Sequence, residues 1–383
     1  MKEIMIVAGE ASGDMHGAAL VAAMKNLDPS LRFVGIGDQA LAGQGVDILY
    51  YSRQIAVVGI AEVLTHWRAI RAALNGLLRR LADDPPQLLI LIDFPDFNLL
   101  LARQAKKLGI PVFYYISPQV WAWRSGRVKT IARLVDRLAV ILPFEEEFYR
   151  SRGVGQVTFV GHPLVDSVRT EMLPGEFRKT LGIEATSTVV GIMPGSRRRE
   201  ITSILPDFIK TARLLKAQDK TVCFLLPLAP TLTESDLGLS EEERRELAII
   251  VVAGHRYDLM AACDLVMVAS GTVTLELALL GIPMVVTYRI APLTYFLGRH
   301  LITIKFMSLV NLVAGREVVR ELIQNDFTPE KLAATLRDIW PGTARREAMT
   351  RELAEVCLRL GRPGASRHAA RLALNLIAPS GAG

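Results

Sequence analysis

Apolar residues recur along this chain in two patterns. Residues 4–8, 88–92, 112–116, 189–193 and 265–269 are short apolar runs, each followed closely by glycine, proline, serine or aspartate. Such runs read as strands buried on both faces, the kind that builds parallel sheets. Residues 32–36, 137–142, 157–160, 222–227 and 248–252 add further strands. Between them, apolar side chains return every three or four positions, the spacing of one helical face. The expectation is an α/β chain of two successive strand–helix alternations. The first ends at Gly161-His162-Pro163, a candidate hinge, and the second begins near Thr188. We place a first Rossmann-like parallel-sheet domain at residues 1–165, a second at 166–345 and C-terminal helices at 346–383. Glu317 to Ile323 is expected to begin an all-helical ending, with amphipathic helices over 329–338, 343–360 and 366–377. These helices either cross back to the first domain or pack on a partner chain.

Open parallel sheets bind ligands beyond the carboxyl ends of their strands, and the polar clusters of this chain sit there. Residues 4–8 run into Gly9-Glu10-Ala11-Ser12-Gly13-Asp14. The loop is neither a dinucleotide fingerprint nor a P-loop, since GxGxxG and GKS/GKT are absent. Glu10, Ser12 and Asp14 are candidate site groups; the plainer alternative is that Ser12 or Asp14 caps the following helix. His16 reads as a surface or packing histidine.

The strand at 88–92 ends in Asp93-Phe94-Pro95-Asp96-Phe97-Asn98. Either aspartate can serve as a general base, and capping is the alternative for Asp96. The next strand ends in Ser117-Pro118-Gln119-Val120-Trp121-Ala122-Trp123-Arg124. Its tryptophans suit a sugar or lipid headgroup, although packing is their commoner use. Residues 189–193 lead into Pro194-Gly195-Ser196-Arg197-Arg198-Arg199, where one arginine can clamp a phosphate.

The most informative stretch is DLVMVASGTVTLELALLGIPMVVT at 264–287, a strand, a tight turn, a helix and a strand. Gly271 lets a ligand approach the backbone. The first helical N–H groups lack partners within the helix, and the helix dipole adds partial positive charge beside Ser270 and Thr272. An anion such as phosphate fits there. Glu276, one turn later, is placed to bind a sugar diol. An ordinary capped turn of a parallel sheet has the same composition. Asn311 is a polar residue in an apolar run.

Half of the 383 residues are hydrophobic and 22% are charged, enough for a large core. Mean hydropathy is +0.29, yet no run approaches the roughly 18 apolar residues of a membrane-spanning helix. Net charge is +6, which suits a partner carrying phosphate. No aromatic-interleaved basic stripe points to nucleic acid. Cys223, Cys263 and Cys357 have no metal-ligand spacing and read as reduced, buried thiols. The apolar run at residues 4–8 is too short for the h-region of a signal peptide, so none is expected. Residues 57–78 place Val57, Ile60, Val63, Leu64, Trp67, Ile70 and Leu74 on one helical face, beside Arg68 and Arg71. A basic amphipathic helix can lie on a membrane; its plainer role is packing on the sheet.

The motifs GEASGD, DFPDFN, SPQVWAWR, GHP, PGSRRRE, ASGTVTLE and NLVAGRE occur in this order. Together they resemble the lipid-A-disaccharide synthases over about residues 4–325. The resemblance implies an inverting, metal-independent glycosyltransferase of GT-B architecture, two Rossmann-like domains facing a cleft, with no cofactor. It would join UDP-2,3-diacylglucosamine to 2,3-diacylglucosamine 1-phosphate on the cytoplasmic leaflet of the inner membrane of a Gram-negative bacterium. By the same resemblance the second domain holds UDP through Arg197, Ser270, Gly271, Thr272, Glu276 and Gln324. Ser12, Gly13, Asp14 and Asn311 meet the sugars. Asp96 is the expected base, ahead of Asp93, with Glu10 nearby. Val57, Val58, Ile60, Val63, Leu64 and Trp67 then form an acyl or membrane surface. Two other readings stay open: an epimerase acting on UDP-N-acetylglucosamine, and a non-catalytic nucleotide- or lipid-binding protein. Oligomeric state is not legible.

Overall fold

A computed structural model describes residues 2–55, 60–123, 125–289 and 305–377; of residues 60–66, 123 and 125 it describes the backbone alone. Two compact units form, Met1–Pro163 with Leu360–Gly383, and Leu164–Arg359.

The first unit is a seven-stranded parallel sheet. Its strands are β1 (Lys2–Ala8), β2 (Leu31–Gly37), β3 (Val46–Tyr51), β4 (Leu88–Ile92), β5 (Val112–Tyr115), β6 (Arg137–Val140) and β7 (Val157–Phe159). They lie in the order β3-β2-β1-β4-β5-β6-β7. β1 and β4 are therefore neighbours from which the chain winds outward in opposite directions. Their ends are level, Ala8 opposite Ile92. The loops that follow them leave the sheet side by side at its topological switch point, where such sheets bind ligands.

The second unit is a six-stranded parallel sheet. Its strands are β8 (Val189–Met193), β9 (Cys223–Leu228), β10 (Ile249–Ala253), β11 (Leu265–Ala269), β12 (Met284–Tyr288) and β13 (Glu321–Ile323). The order is β10-β9-β8-β11-β12-β13, and Met193 of β8 pairs with Val268 of β11. The switch point thus brings the loops after β8 and β11 together. β1, β4 and β11 are buried over almost their full lengths, as unbroken apolar runs require.

Two strands depart from the sequence expectation. β3 was not anticipated, although Val46, Ile48 and Tyr50 alternate with more exposed residues and pair it to β2 as an edge. Glu321–Ile323, expected to be helical, is a strand that pairs with β12 through Val286 and Glu321. Three residues are too few for periodicity to separate the two states.

The helix Ile60–Asp83 buries Ala73, Leu77 and Leu81 in the core beneath the sheet. At about 1.5–3 kcal/mol for each buried leucine, this contact commits the second half of the helix to packing. Trp67, before it, is 54% exposed. Val57 and Val58 lie outside the described residues, as do the side chains of Ile60, Val63 and Leu64.

The helical ending divides. Ala344–Arg359 belongs to the second unit. Ala365–Leu374 packs in the first, against the helix Ala11–Leu27, with Ala369, Ala370 and Ala373 fully buried. Small side chains permit that close approach. Where the chain leaves and re-enters the first unit, the N–H of His162 donates to the carbonyl of Leu360 at 2.8 Å. Gly161 adopts φ +92°, the left-handed region that favours glycine. Among the described residues, no helix is long and apolar enough to cross a membrane.

Candidate active site

At the switch point of the first unit, β1 ends in Gly9-Glu10 and β4 in Asp93-Phe94. The two loops interlock. A Cβ at Gly9 would lie 2.2 Å from the Phe94 ring, so only glycine leaves room for that ring. Asp93 and Phe94 both take left-handed backbone, with φ +45° and +47°. Such residues are held by their surroundings, and here the anchors are plain. The Tyr114 hydroxyl donates to the Asp93 carbonyl at 2.5 Å, and Asn98 Nδ2 donates to the carbonyls of Asp93 at 2.7 Å and Ile92 at 3.2 Å. Pro95 then opens the helix Pro95–Lys107.

The result is a carboxyl group in a recess. Asp93, Pro95, Ile116, Ser117, Pro118, Gln119, Val120 and Arg127 line a cavity of about 270 Å³. Burial, and after it the neighbouring Glu10 carboxylate, push Asp93 up to about 6. Asp96 faces a different environment. Its side chain is 76% exposed and forms an ion pair with Arg127. Glu10 is exposed at the start of the helix Ala11–Leu27, and Ser12 is exposed in its first turn.

Asp14 has another task. Its carboxylate accepts the N–H groups of Asp38 at 2.6 Å, Ala40 at 2.9 Å and Leu41 at 3.3 Å, capping the helix Gln39–Gly43 rather than its own. Gly13 is buried, at ordinary contact distance from Ala8 and Ile92. His16 and His162 are held below the usual histidine range by burial; His162 falls to about 3, with His16 adding a smaller push.

In the second unit, the loop after β8 folds back on Glu200. Its Oε2 accepts the N–H groups of Ser196 at 2.9 Å and Arg197 at 3.3 Å, and its Oε1 accepts Arg197 Nη1 at 3.1 Å. Gly195 adopts φ +118°, and a Cβ there would strike Glu200 at 2.2 Å. The loop is thereby preformed, with Arg197 at the start of the helix Arg198–Gln218. Beside it, after β11, Ser270 Oγ donates to the Met307 carbonyl at 2.8 Å. A Cβ on Gly271 would meet nothing within 4 Å, so this turn has open space over its backbone. Thr272 precedes the helix Val273–Leu279.

Glu276 is 4% exposed and forms an ion pair with Arg256. Burial raises its carboxyl above the ordinary range, and Arg256 opposes the rise. Gln324 stands at the end of β13 with φ +53°, two strands along from β11.

Asn311 is wholly engaged in structure. Its Oδ1 accepts the N–H groups of Val318 at 2.7 Å and Val319 at 3.0 Å, and its Nδ2 donates to Val319 O at 2.8 Å and Glu321 Oε1 at 2.7 Å. Glu321 in turn accepts the N–H groups of Met307 and Ser308, so Asn311 supports the segment that Ser270 touches. Both ends of its amide, expected to meet a sugar, are taken up by protein groups here.

Sequence reasoning did not single out Arg127, Glu145, Glu200 or Arg256. Each acts across a distance in sequence or through a cap, and the only local signal was Glu200 three positions after Arg197. The side chains of Glu171, His255 and Asp258 also converge, with ligand-type atoms within 4.8 Å. Asp258 Oδ1 is occupied there by the N–H groups of Glu171 and Met172.

Comparison with known proteins gives the family and the fold. Residues 4–374 match the family model described as Lipid-A-disaccharide synthetase. A relative from Syntrophus aciditrophicus (strain SB), named Lipid-A-disaccharide synthase, is 48% identical over 99% of both chains. A namesake from Geobacter sulfurreducens is 47% identical over 98% of this chain and 97% of its own. Among solved structures, the UDP-GlcNAc 2-epimerase of Neisseria meningitidis bound to UDP-GlcNAc aligns with TM-score 0.64 over 98% of this chain and 100% of that one, at 13% identity. The glycotransferase of kitacinnamycin aligns with TM-score 0.65 over 98% of both chains, at 15% identity. At such identities the structural likeness carries the fold alone, the two-sheet GT-B architecture.

Proposed function

The chain belongs to the lipid-A-disaccharide synthase family, and from that premise we propose that Asp93 is the general base of its reaction and that the turn after β11 receives the donor's pyrophosphate. The family's enzymes are glycosyltransferases of lipid A biosynthesis. They join UDP-2,3-diacylglucosamine to 2,3-diacylglucosamine 1-phosphate, forming a β-1,6 disaccharide and releasing UDP.

Inversion at the donor sugar is a single in-line displacement. The base takes the proton of the acceptor 6-hydroxyl, the oxygen forms a bond to donor C1, and the C1–O bond to UDP breaks with its electron pair leaving on UDP. Asp93 suits the first step because a carboxyl group near 6 is ionised at neutral pH yet basic enough to hold a proton in the transition state. Its place in the recess, against the exposed Asp96, carries the proposal. Asp96, which sequence reasoning preferred, is exposed and paired with Arg127, an arrangement that fixes the cavity wall rather than activating a hydroxyl.

On the donor side, UDP gains negative charge as it leaves. The open turn at Gly271, the helix start at Thr272 and the preformed Arg197 loop supply positive potential for it. Glu276 is the proposed ribose contact, and its ion pair with Arg256 supports that reading by holding the carboxylate in one position. Acyl chains and a membrane face are assigned to the segment around Trp67, where an exposed indole stands beside exposed Arg68 and Arg71. The inner leaflet of the inner membrane is the corresponding location.

The test is UDP release from the purified chain in detergent and EDTA. Release from UDP-2,3-diacylglucosamine is expected only when 2,3-diacylglucosamine 1-phosphate is present. Release independent of the acceptor, or none with UDP still bound, would contradict the proposal.

A further inference from the structure

Glu145 is a buried carboxylate that the proposed transfer does not use. It stands in the first turn of the helix Pro143–Arg150, just after β6, and is 1% exposed. Four donors converge on it. Oε1 accepts Ser117 Oγ at 3.1 Å and Trp121 Nε1 at 3.1 Å. Oε2 accepts the N–H groups of Ile141 at 3.2 Å and Leu142 at 3.0 Å. The Tyr149 hydroxyl, one turn further along the helix, donates to Ser117 Oγ at 3.3 Å. The Trp121 ring is clasped edge-on by Phe144 at 5.0 Å.

These contacts are not spread over the core; they gather one segment. Ile116, Ser117, Pro118, Gln119 and Val120 form a wall of the Asp93 cavity, and Ile116 takes left-handed backbone at φ +60°. Ser117 and Trp121 bracket that wall, and both are tied to one carboxylate. We propose that Glu145 is a positioning residue of the glycosyl transfer: through Ser117 and Trp121 it holds the 116–121 segment in the shape that receives the acceptor sugar beside Asp93. The inference rests on the reading of the Asp93 cavity as the acceptor site. A fully buried carboxylate is costly unless its oxygens are satisfied. An apolar side chain would fill the same volume without a buried charge but would leave all four donors without an acceptor. What a carboxylate adds is acceptance by both oxygens at once, which fixes two side-chain donors and two backbone donors in a single frame.

The experiment compares Glu145→Gln with the parent chain in steady-state kinetics, varying donor and acceptor separately. The amide nitrogen of glutamine cannot accept, so at least one pair of donors is released. The acceptor KM is expected to rise about tenfold with the donor KM unchanged, the size expected for loss of a hydrogen bond to a charged group. Trp121→Phe, which keeps a buried ring but lacks the N–H donor, is expected to raise the acceptor KM in the same direction, and the double variant to be no worse than Glu145→Gln alone. Leu31→Ala, a core truncation in β2, three strands from β5 in the sheet order, controls for lowered stability and is expected to leave both KM values unchanged. Equal changes in the two KM values, or an acceptor KM unaltered in both Glu145→Gln and Trp121→Phe, would overturn the inference. Should Glu145→Gln fail to fold, Trp121→Phe and Tyr149→Phe carry the same test from the donor side. Asp93→Asn separates the premise: if that variant turns over normally, the cavity itself is misassigned, whereas its inactivation beside an unaltered Glu145→Gln refutes the positioning role alone.

Discussion

The strand-end loops of the two units solve opposite problems. After β4, the first unit holds a carboxyl group where burial and a second carboxylate both disfavour its charge, and it keeps Asp93, Phe94 and Ile116 in left-handed backbone. After β8 and β11, the second unit satisfies its charges: Arg197 with Glu200, Glu276 with Arg256, and Ser270 with the Met307 carbonyl. A reactive group needs a raised proton affinity, so its loop stores unfavourable electrostatics and strain. On the proposed reading, the anion-receiving loops need fixed donors and a preformed shape, and the pairing of Arg197 with Glu200 supplies that order. The same fold, built twice, offers both because each sheet places its loops at a switch point but leaves their chemistry free.

The largest expected effect separates the two loops. Asp93→Asn should lower kcat by about 100- to 10,000-fold, the range of a lost general base, while UDP affinity, measured by calorimetry, stays unchanged. Weakened UDP binding would mean that the two functions are not divided between the units as described. Next in size is Asn311→Ala, which leaves the Val318 and Val319 N–H groups without their buried acceptor. A loss of about 3 kcal/mol of stability in chemical denaturation is expected. A normal denaturation curve with a selectively raised substrate KM would instead return Asn311 to the sugar. The smallest effect belongs to Asp96→Asn. An exposed ion pair contributes about 0–1 kcal/mol, so turnover should fall less than about fivefold; a collapse of kcat would make Asp96 the base after all.

Much of this was legible in the sequence, for identifiable reasons. β1, β4 and β11 are unbroken apolar runs, which parallel burial imposes, and their polar continuations marked the strand ends. β13 was misread because Glu321–Ile323 is too short to show a period and gains its state from pairing with β12. The ordering of the sheets was not legible, and it decides the site: Glu10 and Asp93 are 83 positions apart in the chain and become neighbours only because β1 pairs with β4. The backbone partners of Asp14 and Asn311 were not legible, because a polar side chain beside a glycine-bearing loop or within an apolar run looks the same in sequence whether it meets a ligand or a backbone N–H. Asp96 was preferred over Asp93 because sequence does not reveal that one is exposed and the other recessed. Glu145 escaped notice since its four donors come from positions 3 to 28 residues away.

The central claim, that Asp93 is a base tuned by its recess and by Glu10, is tested most directly by the pH dependence of kcat/KM for the acceptor, which reports groups of the free enzyme. Asp93 must be ionised to accept the proton, so activity should rise with pH along an acid limb centred near 6. Glu10→Gln removes the carboxylate that raises Asp93 and should move that limb to lower pH. A limb unmoved by Glu10→Gln, or activity without an acid limb between pH 5 and 7, would contradict the account.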